Sequence, residues 1–190
     1  MFINNLDQLK SLNRLPAVCG ELFEEFERKS TPEQFVSWVI QKFTGRSFLG
    51  TLAQIQQELD NFQRPLILSR DRKEIFRRSY IVAPDEEKAI FLHRFGVDMY
   101  DGPRYHDHDW DSLSFGLLGF GDEQIRGSEE RRRFKGGDVL FRSGYQAHRF
   151  TTHREVFWTL FVRGRSYRTS YFYNTDGSCT PTAEFFGRRP

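Results

Sequence analysis

From about residue 74 the chain stops repeating on a helical period and breaks into short, β-rich runs, and this change constrains the fold more than any other feature. The runs read "EIFRRSYIV", "KAIFLHRFGV", "DSLSFGLLGF", "RRRFKG", "DVLFRS", "AHRFTT", "EVFWTLFVRG" and "YRTSYFYN". Between them stand segments with turn chemistry: "APDEE", "YDGP", "FGDEQ", "KGGD", "RSGYQ" and "NTDGS". Short strands at close spacing, with no helix between them, predict an antiparallel sandwich or barrel.

The preceding third reads as helix. In "STPEQFVSWVIQKFTG", Thr31 can cap, Pro32 suits the first turn and Gln34 stands at capping-box spacing. Phe35, Trp38, Val39 and Phe43 share a face, and Gly45 can end the helix. "SFLGTLAQIQQELDNFQRP" puts Leu52, Ile55, Leu59 and Phe62 on a stripe before Pro65, and "GELFEEFERK" is a shorter amphipathic segment. The expected architecture is mostly β with α: a helical cap over residues 1–70 packed on a β-barrel over 71–190, as one unit.

A chain of 190 residues with 20 Phe has enough apolar bulk for a substantial core. A mean hydropathy of −0.63 argues for a soluble protein, and no apolar run of about 18 residues exists to span a membrane. The net charge of +2 is too small to mark a nucleic-acid binder; "RRRF" follows Glu129 and Glu130 directly and reads as a solvated sheet edge. "MFINNLDQLKSLNRL" lacks the pattern of a signal peptide, and Cys19 and Cys179 read as reduced thiols, so a cytoplasmic location is expected.

The chain has five histidines, and two of them stand one residue apart in "YHDHDW". In an extended segment, residues i and i+2 point to one side. His106 and His108 can therefore offer two imidazoles to one metal ion, with His148, after the turn "RSGYQA", as the third ligand. The residues alone leave open that these are ordinary polar side chains of a β domain. His93 shares a face with Phe91 and Phe95 and reads as a core or pocket-lining histidine, and His153 in "TTHRE" as exposed. Asp107 and Asp109 alternate away from the histidines and read as solvated or turn-stabilising. Asp111 reads as supporting the site, or as a fourth ligand if a bulge turns it inward.

These motifs resemble the cupins, small jelly-roll barrels. The first cupin motif is His-x-His, a later Glu and then Gly; His106, His108 and Gly119 match it, whereas Ser112 and Leu113 occupy the places allowed to the glutamate. The second motif closes on a histidine eleven residues after its opening glycine, as His148 follows Gly137; Ser143 and Tyr145 replace its usual Pro and Gly. The resemblance covers roughly residues 86–165 and implies a jelly-roll barrel holding one divalent metal, with Fe(II) favoured and Mn, Co, Ni or Zn compatible with imidazole ligands.

Within the cupins the chain is similar to cysteine dioxygenase-type enzymes, which add helices before the barrel, a three-histidine site and an arginine on an early strand that grips a carboxylate. "FRRSY" supplies Arg77 and Arg78 on opposite faces, and family-like placement selects Arg78. Where those enzymes carry a late-strand His and Tyr, this chain has Leu160 and Val162, with Tyr167 and Tyr171 beyond, so no thiol substrate is inferred.

The resemblance implies a mononuclear metal enzyme, an Fe(II) oxygenase using O₂ on a small carboxylate-bearing metabolite. A metal-dependent dehydratase, isomerase or cyclase, with Asp111 or a tyrosine as acid or base, is the alternative, and a non-catalytic ligand-binding barrel a third. Arg78, Asp111 and Tyr145 are the candidate catalytic side chains. Tyr105, Trp110, Phe115, Tyr145 and Trp158 are the expected pocket wall. A homodimer through a sheet edge is the expected assembly, with neither nucleic acid nor membrane as partner.

Overall fold

Three of the four N-terminal helices carry a side-chain cap. Helix α1 spans Leu6–Lys10, α2 Val18–Arg28, α3 Pro32–Thr44 and α4 Leu52–Asp60 in the computed structural model, which describes residues 1–99 and 104–185. The turn expected at "YDGP" lies outside the described residues. Asn5 caps α1. Thr31 accepts the Gln34 N–H at 3.3 Å, and Gly45 closes α3 in the left-handed region at φ 71°, where a Cβ would be strained. The complete capping box belongs to α4, where Thr51 caps and the Gln54 side chain takes the Thr51 N–H at 2.9 Å.

The buried stripe of α3 is Phe35, Val36, Val39 and Ile40; Trp38 and Phe43 sit at its margin. Leu52, Ile55 and Leu59 of α4 are buried as expected. Phe62 lies beyond the helix end and is half exposed, stacked on Phe48 under the Arg46 guanidinium.

The strands are β1 Leu66–Arg70, β2 Lys73–Val82, β3 Ala89–Phe95, β4 Tyr105–His106, β5 Ser112–Leu118, β6 Phe120–Ile125, β7 Arg131–Lys135, β8 Val139–Arg142, β9 His148–Thr151, β10 Phe157–Arg163, β11 Tyr171–Tyr173 and β12 Cys179–Pro181; a short α5, Thr182–Phe185, follows. They form two six-stranded sheets, ordered β1-β2-β3-β10-β5-β8 and β12-β11-β4-β9-β6-β7. The sheet structure begins at Leu66, inside the segment expected to be helical cap, because "LILSR" pairs back on β2 as a hairpin. "FGDEQ", read as a turn, is most of β6 and pairs with both β7 and β9.

The central strands of the first sheet, β3, β10 and β5, are covered on both faces. Ile81, Leu92, Leu113, Phe115, Leu117, Leu160 and Val162 form one apolar cluster with Leu22, Phe35, Val36, Ile40 and Ile55 of the helices. Each of these side chains contributes about 1.5–3 kcal/mol on burial, so the helices bind that face through many contacts. The opposite parity faces the second sheet: Phe95 packs on Phe150, Phe134 on Phe157, and Arg142 reaches Ser114. Two expected pocket residues, Phe115 and Trp158, therefore lie in the helix-facing core. Leu160 and Val162 do so too, and the β10 side chains turned inward are Phe157, Thr159, Phe161 and Arg163. Cys19 is buried and Cys179 exposed, and both are free thiols. Among the described residues no helix is long and apolar enough to cross a membrane.

Candidate metal centre

His106 ends β4 directly opposite His148, the first residue of β9, so one antiparallel step brings two imidazoles side by side. His108 lies just past β4, where its backbone N–H donates to the Gly144 carbonyl at 3.2 Å. Ring centroids are 4.7 Å apart for His106 and His148 and 5.1 Å for His108 with each of the others. One ring nitrogen from each residue lies within 4.8 Å of the other two. The structure thus brings together the three histidines expected from sequence.

Burial, followed by the neighbouring imidazoles, holds His108 and His148 well below the usual histidine range, so both are neutral at pH 7. His148 Nδ1 lies 3.2 Å from the Gln146 carbonyl, which can only accept; the proton is therefore on Nδ1 and the Nε2 lone pair is free to ligate. Neutral imidazoles converging without a thiolate suit a divalent transition metal.

The segments around the rings are fastened by two buried aspartates. Asp107 accepts the Tyr171 N–H at 2.6 Å, the Tyr173 hydroxyl at 2.7 Å and the Arg168 guanidinium at 2.9 Å. Of the two roles expected for it, solvated or turn-stabilising, the first does not hold: Asp107 is 2% exposed and bonds a backbone N–H. Asp111 Oδ1 accepts the Gly144 N–H at 2.9 Å and the Tyr167 hydroxyl at 2.5 Å. It is not one of the clustered residues, and its hydrogen bonds join the Gly144 turn to Tyr167. Gly144 has no room for a side chain: a Cβ there would lie 2.6–2.8 Å from Tyr167 Oη and the Trp110 and His108 carbonyls.

Arg77 and Arg78 take opposite faces. Arg77 turns toward the helices and pairs with Asp60 at 2.6 Å and Glu74 at 2.5 Å. Arg78 turns into the space between the sheets, donates from Nε to His93 Nε2 at 3.0 Å and lies over the Phe91 ring. Burial lowers its pKa to about 10, leaving it charged at neutral pH. His93 is buried, as expected, among Phe76, Phe91, Phe95 and Phe161. His153 pairs with Asp122 at 2.8 Å. Of the expected pocket wall, Trp110 stacks on His108 with centroids 5.4 Å apart. Tyr105 carries the Arg149 guanidinium over its ring. Tyr145 is 63% exposed at the rim, between Tyr167 and Arg168, and lines an open cleft of about 660 Å³ with Arg126 and Tyr173.

Sequence reasoning missed Glu123. Fully buried on β6, it pairs with Arg142 and Arg132, and its Oε1 lies 4.0 Å from His148 Nδ1. Its signal was there, an acid at alternating parity from Gly121, but reading "FGDEQ" as a turn concealed it.

Neither a protein-family model nor a curated protein matches the chain. Among solved structures, the DMSP lyase DddQ from Ruegeria pomeroyi DSS-3 is 14% identical, over 82% of this chain and 78% of that chain, with a TM-score of 0.50. The cupin-2 domain protein Rru_A2000 from Rhodospirillum rubrum is 11% identical, over 60% and 76%, with a TM-score of 0.49. The chain shares the fold of DddQ. A further structure, of DMSP lyases RdDddP and RnDddQII, is 17% identical with a TM-score of 0.41; the chain spans about half its length, the match covering 47% of each. At 14% identity the likeness to DddQ is one of fold alone.

Proposed function

We propose that the protein is a mononuclear metal-dependent enzyme of the cupin type, an Fe(II) oxygenase acting on a small carboxylate-bearing metabolite. The observation that carries this reading is the convergence of three ring nitrogens, from His106, His108 and His148, within 4.8 Å. A divalent ion bound there supplies Lewis acidity and, if it is iron, redox chemistry with O₂.

The chain's own residues do the rest. His148 is oriented by Gln146, and Asp107 and Asp111 hold the segments that carry the rings. Arg78, on the inner face and charged, meets a carboxylate with two parallel N–H donors. Trp110 against His108 shields one side of the site from water.

Metal analysis of protein purified without added metal, followed by O₂-uptake assays with a panel of small carboxylates, tests the reading. Iron-dependent O₂ consumption that zinc does not support is expected. Turnover of a carboxylate under strict anaerobiosis instead identifies a non-oxidative dehydratase, isomerase or cyclase. If no divalent metal binds, the enzyme reading is lost.

A further inference from the structure

Two polar atoms beside the histidines have no hydrogen-bond partner among the described residues: Ser112 Oγ and Trp110 Nε1. Buried donors left unpaired are costly and rare, and at a site they mark where a ligand completes the bonding. Ser112 is fully buried on the inner face of the first sheet. Its cross-strand partners are Arg163 on β10 and Arg142 on β8, so three polar side chains form one row.

The two arginines differ in how they are neutralised. Arg142 is paired with the Glu123 carboxylate. Arg163 donates only to carbonyls among the described hydrogen bonds, those of Gly164 at 3.1 Å and Asp85 at 2.8 Å, while the Asp85 carboxylate turns to the N–H groups of Glu87 and Lys88. The Arg163 guanidinium lies 5.1 Å from the centroid of Trp110, whose other neighbour is His108. Trp110 thus links the Arg163 guanidinium to His108, and Ser112 sits in the same cross-strand row as Arg163, on the inner face that also carries Arg78.

We propose that Ser112, Trp110 and Arg163 form a second acid-binding subsite, and that the substrate is a small dicarboxylate with its other carboxylate at Arg78. The inference rests on the reading of this site as a metal centre with Arg78 as anchor. Arg163 stands four residues along β10 from Thr159, which shares a cross-strand row with His93 and Arg78. That places the two arginine rows about 13 Å apart along the strands, with Phe91 and Phe161 between them. Each arginine side chain reaches inward, so a short carbon chain spans the remaining gap over an apolar floor.

The test is calorimetric titration of Co(II)-loaded protein with α,ω-dicarboxylates from malonate to adipate, and with monocarboxylates of equal length. One dicarboxylate is expected to bind at least about tenfold tighter than its monocarboxylate. Ser112→Ala and Trp110→Phe, the latter keeping a ring on His108, should each remove about tenfold of that advantage, the size of one hydrogen bond to a charged group. Ser112→Ala should leave monocarboxylate affinity unchanged. Dicarboxylates that bind no tighter than monocarboxylates, or variants that weaken both alike, overturn the inference. Co(II) occupancy is read independently from visible absorbance. Wild-type protein that takes up no Co(II) removes the metal reading and the subsite with it; full occupancy without a dicarboxylate preference removes the subsite alone.

Discussion

Asp111 and Gly144 lock the two histidine-bearing segments to each other: the Asp111 carboxylate accepts the Gly144 N–H at 2.9 Å, while the Gly144 carbonyl accepts the His108 N–H at 3.2 Å. One residue in the turn before His148 thus serves both sides of the His-x-His segment, and the position of His108 relative to His148 depends on this exchange.

Asp111→Ala should lower stability by about 1–3 kcal/mol, because it strands a buried N–H and the Tyr167 hydroxyl. It should also weaken metal binding by about 10–100-fold, the usual cost of losing the support behind a ligand. Asp111→Asn keeps one acceptor oxygen and should recover much of both. Thermal melts and Co(II) titrations measure the two effects; unchanged Co(II) affinity in the alanine variant contradicts the positioning role.

Asp107 is the more exacting of the pair. Asp107→Ala leaves Arg168 beside an apolar gap and frees the Tyr171 N–H and Tyr173 hydroxyl, so a loss of about 3 kcal/mol or more is expected. Adding Arg168→Met to that variant should restore part of the loss. Urea denaturation of the four proteins in this double-mutant cycle gives the coupling, and strictly additive losses count against the pair.

Glu123→Ala should cost about 3–5 kcal/mol, since it abandons the buried Arg142 guanidinium. Glu123→Gln should cost less and should alter metal affinity only modestly, because Glu123 neutralises arginines and is not one of the clustered ligands. A Gln variant that folds normally but loses Co(II) altogether makes Glu123 a ligand instead.

Saturating divalent metal should raise the unfolding free energy, by about 2.7 kcal/mol at one hundred times Kd. His106→Ala, His108→Ala and His148→Ala should each fold and each lose most of this increment. Calorimetric melts with Co(II) and with chelator check it; an increment that survives any one substitution takes that histidine out of the centre.

Sequence made some parts of this molecule legible and concealed others for physical reasons. His106 and His108 come together as their spacing suggests, although the strand itself ends at His106, and the αL glycine at Gly45 ends α3 where expected. The inward parity of β10 could not be read, because every residue from Phe157 to Arg163 is buried and a strand covered on both faces shows no alternation. Leu160 and Val162 were set against the site by the resemblance, and the pattern could not correct this, while Thr159 and Arg163 went unnoticed. Glu123 was hidden by turn-like neighbours, and the burial of Asp107 by its alternation away from the histidines, toward a side that Tyr171, Tyr173 and Arg168 close.

The two-sided cover of the first sheet has a consequence for how this chain can vary. On β10, β5 and β3 nearly every position presses on either the helical layer or the inter-sheet space, so neither parity offers a silent site for drift. On β7, four of the five residues are not buried. A deep mutational scan should therefore show tolerance on the free side of the second sheet and on β1, with β3, β5 and β10 intolerant at consecutive rather than alternate residues.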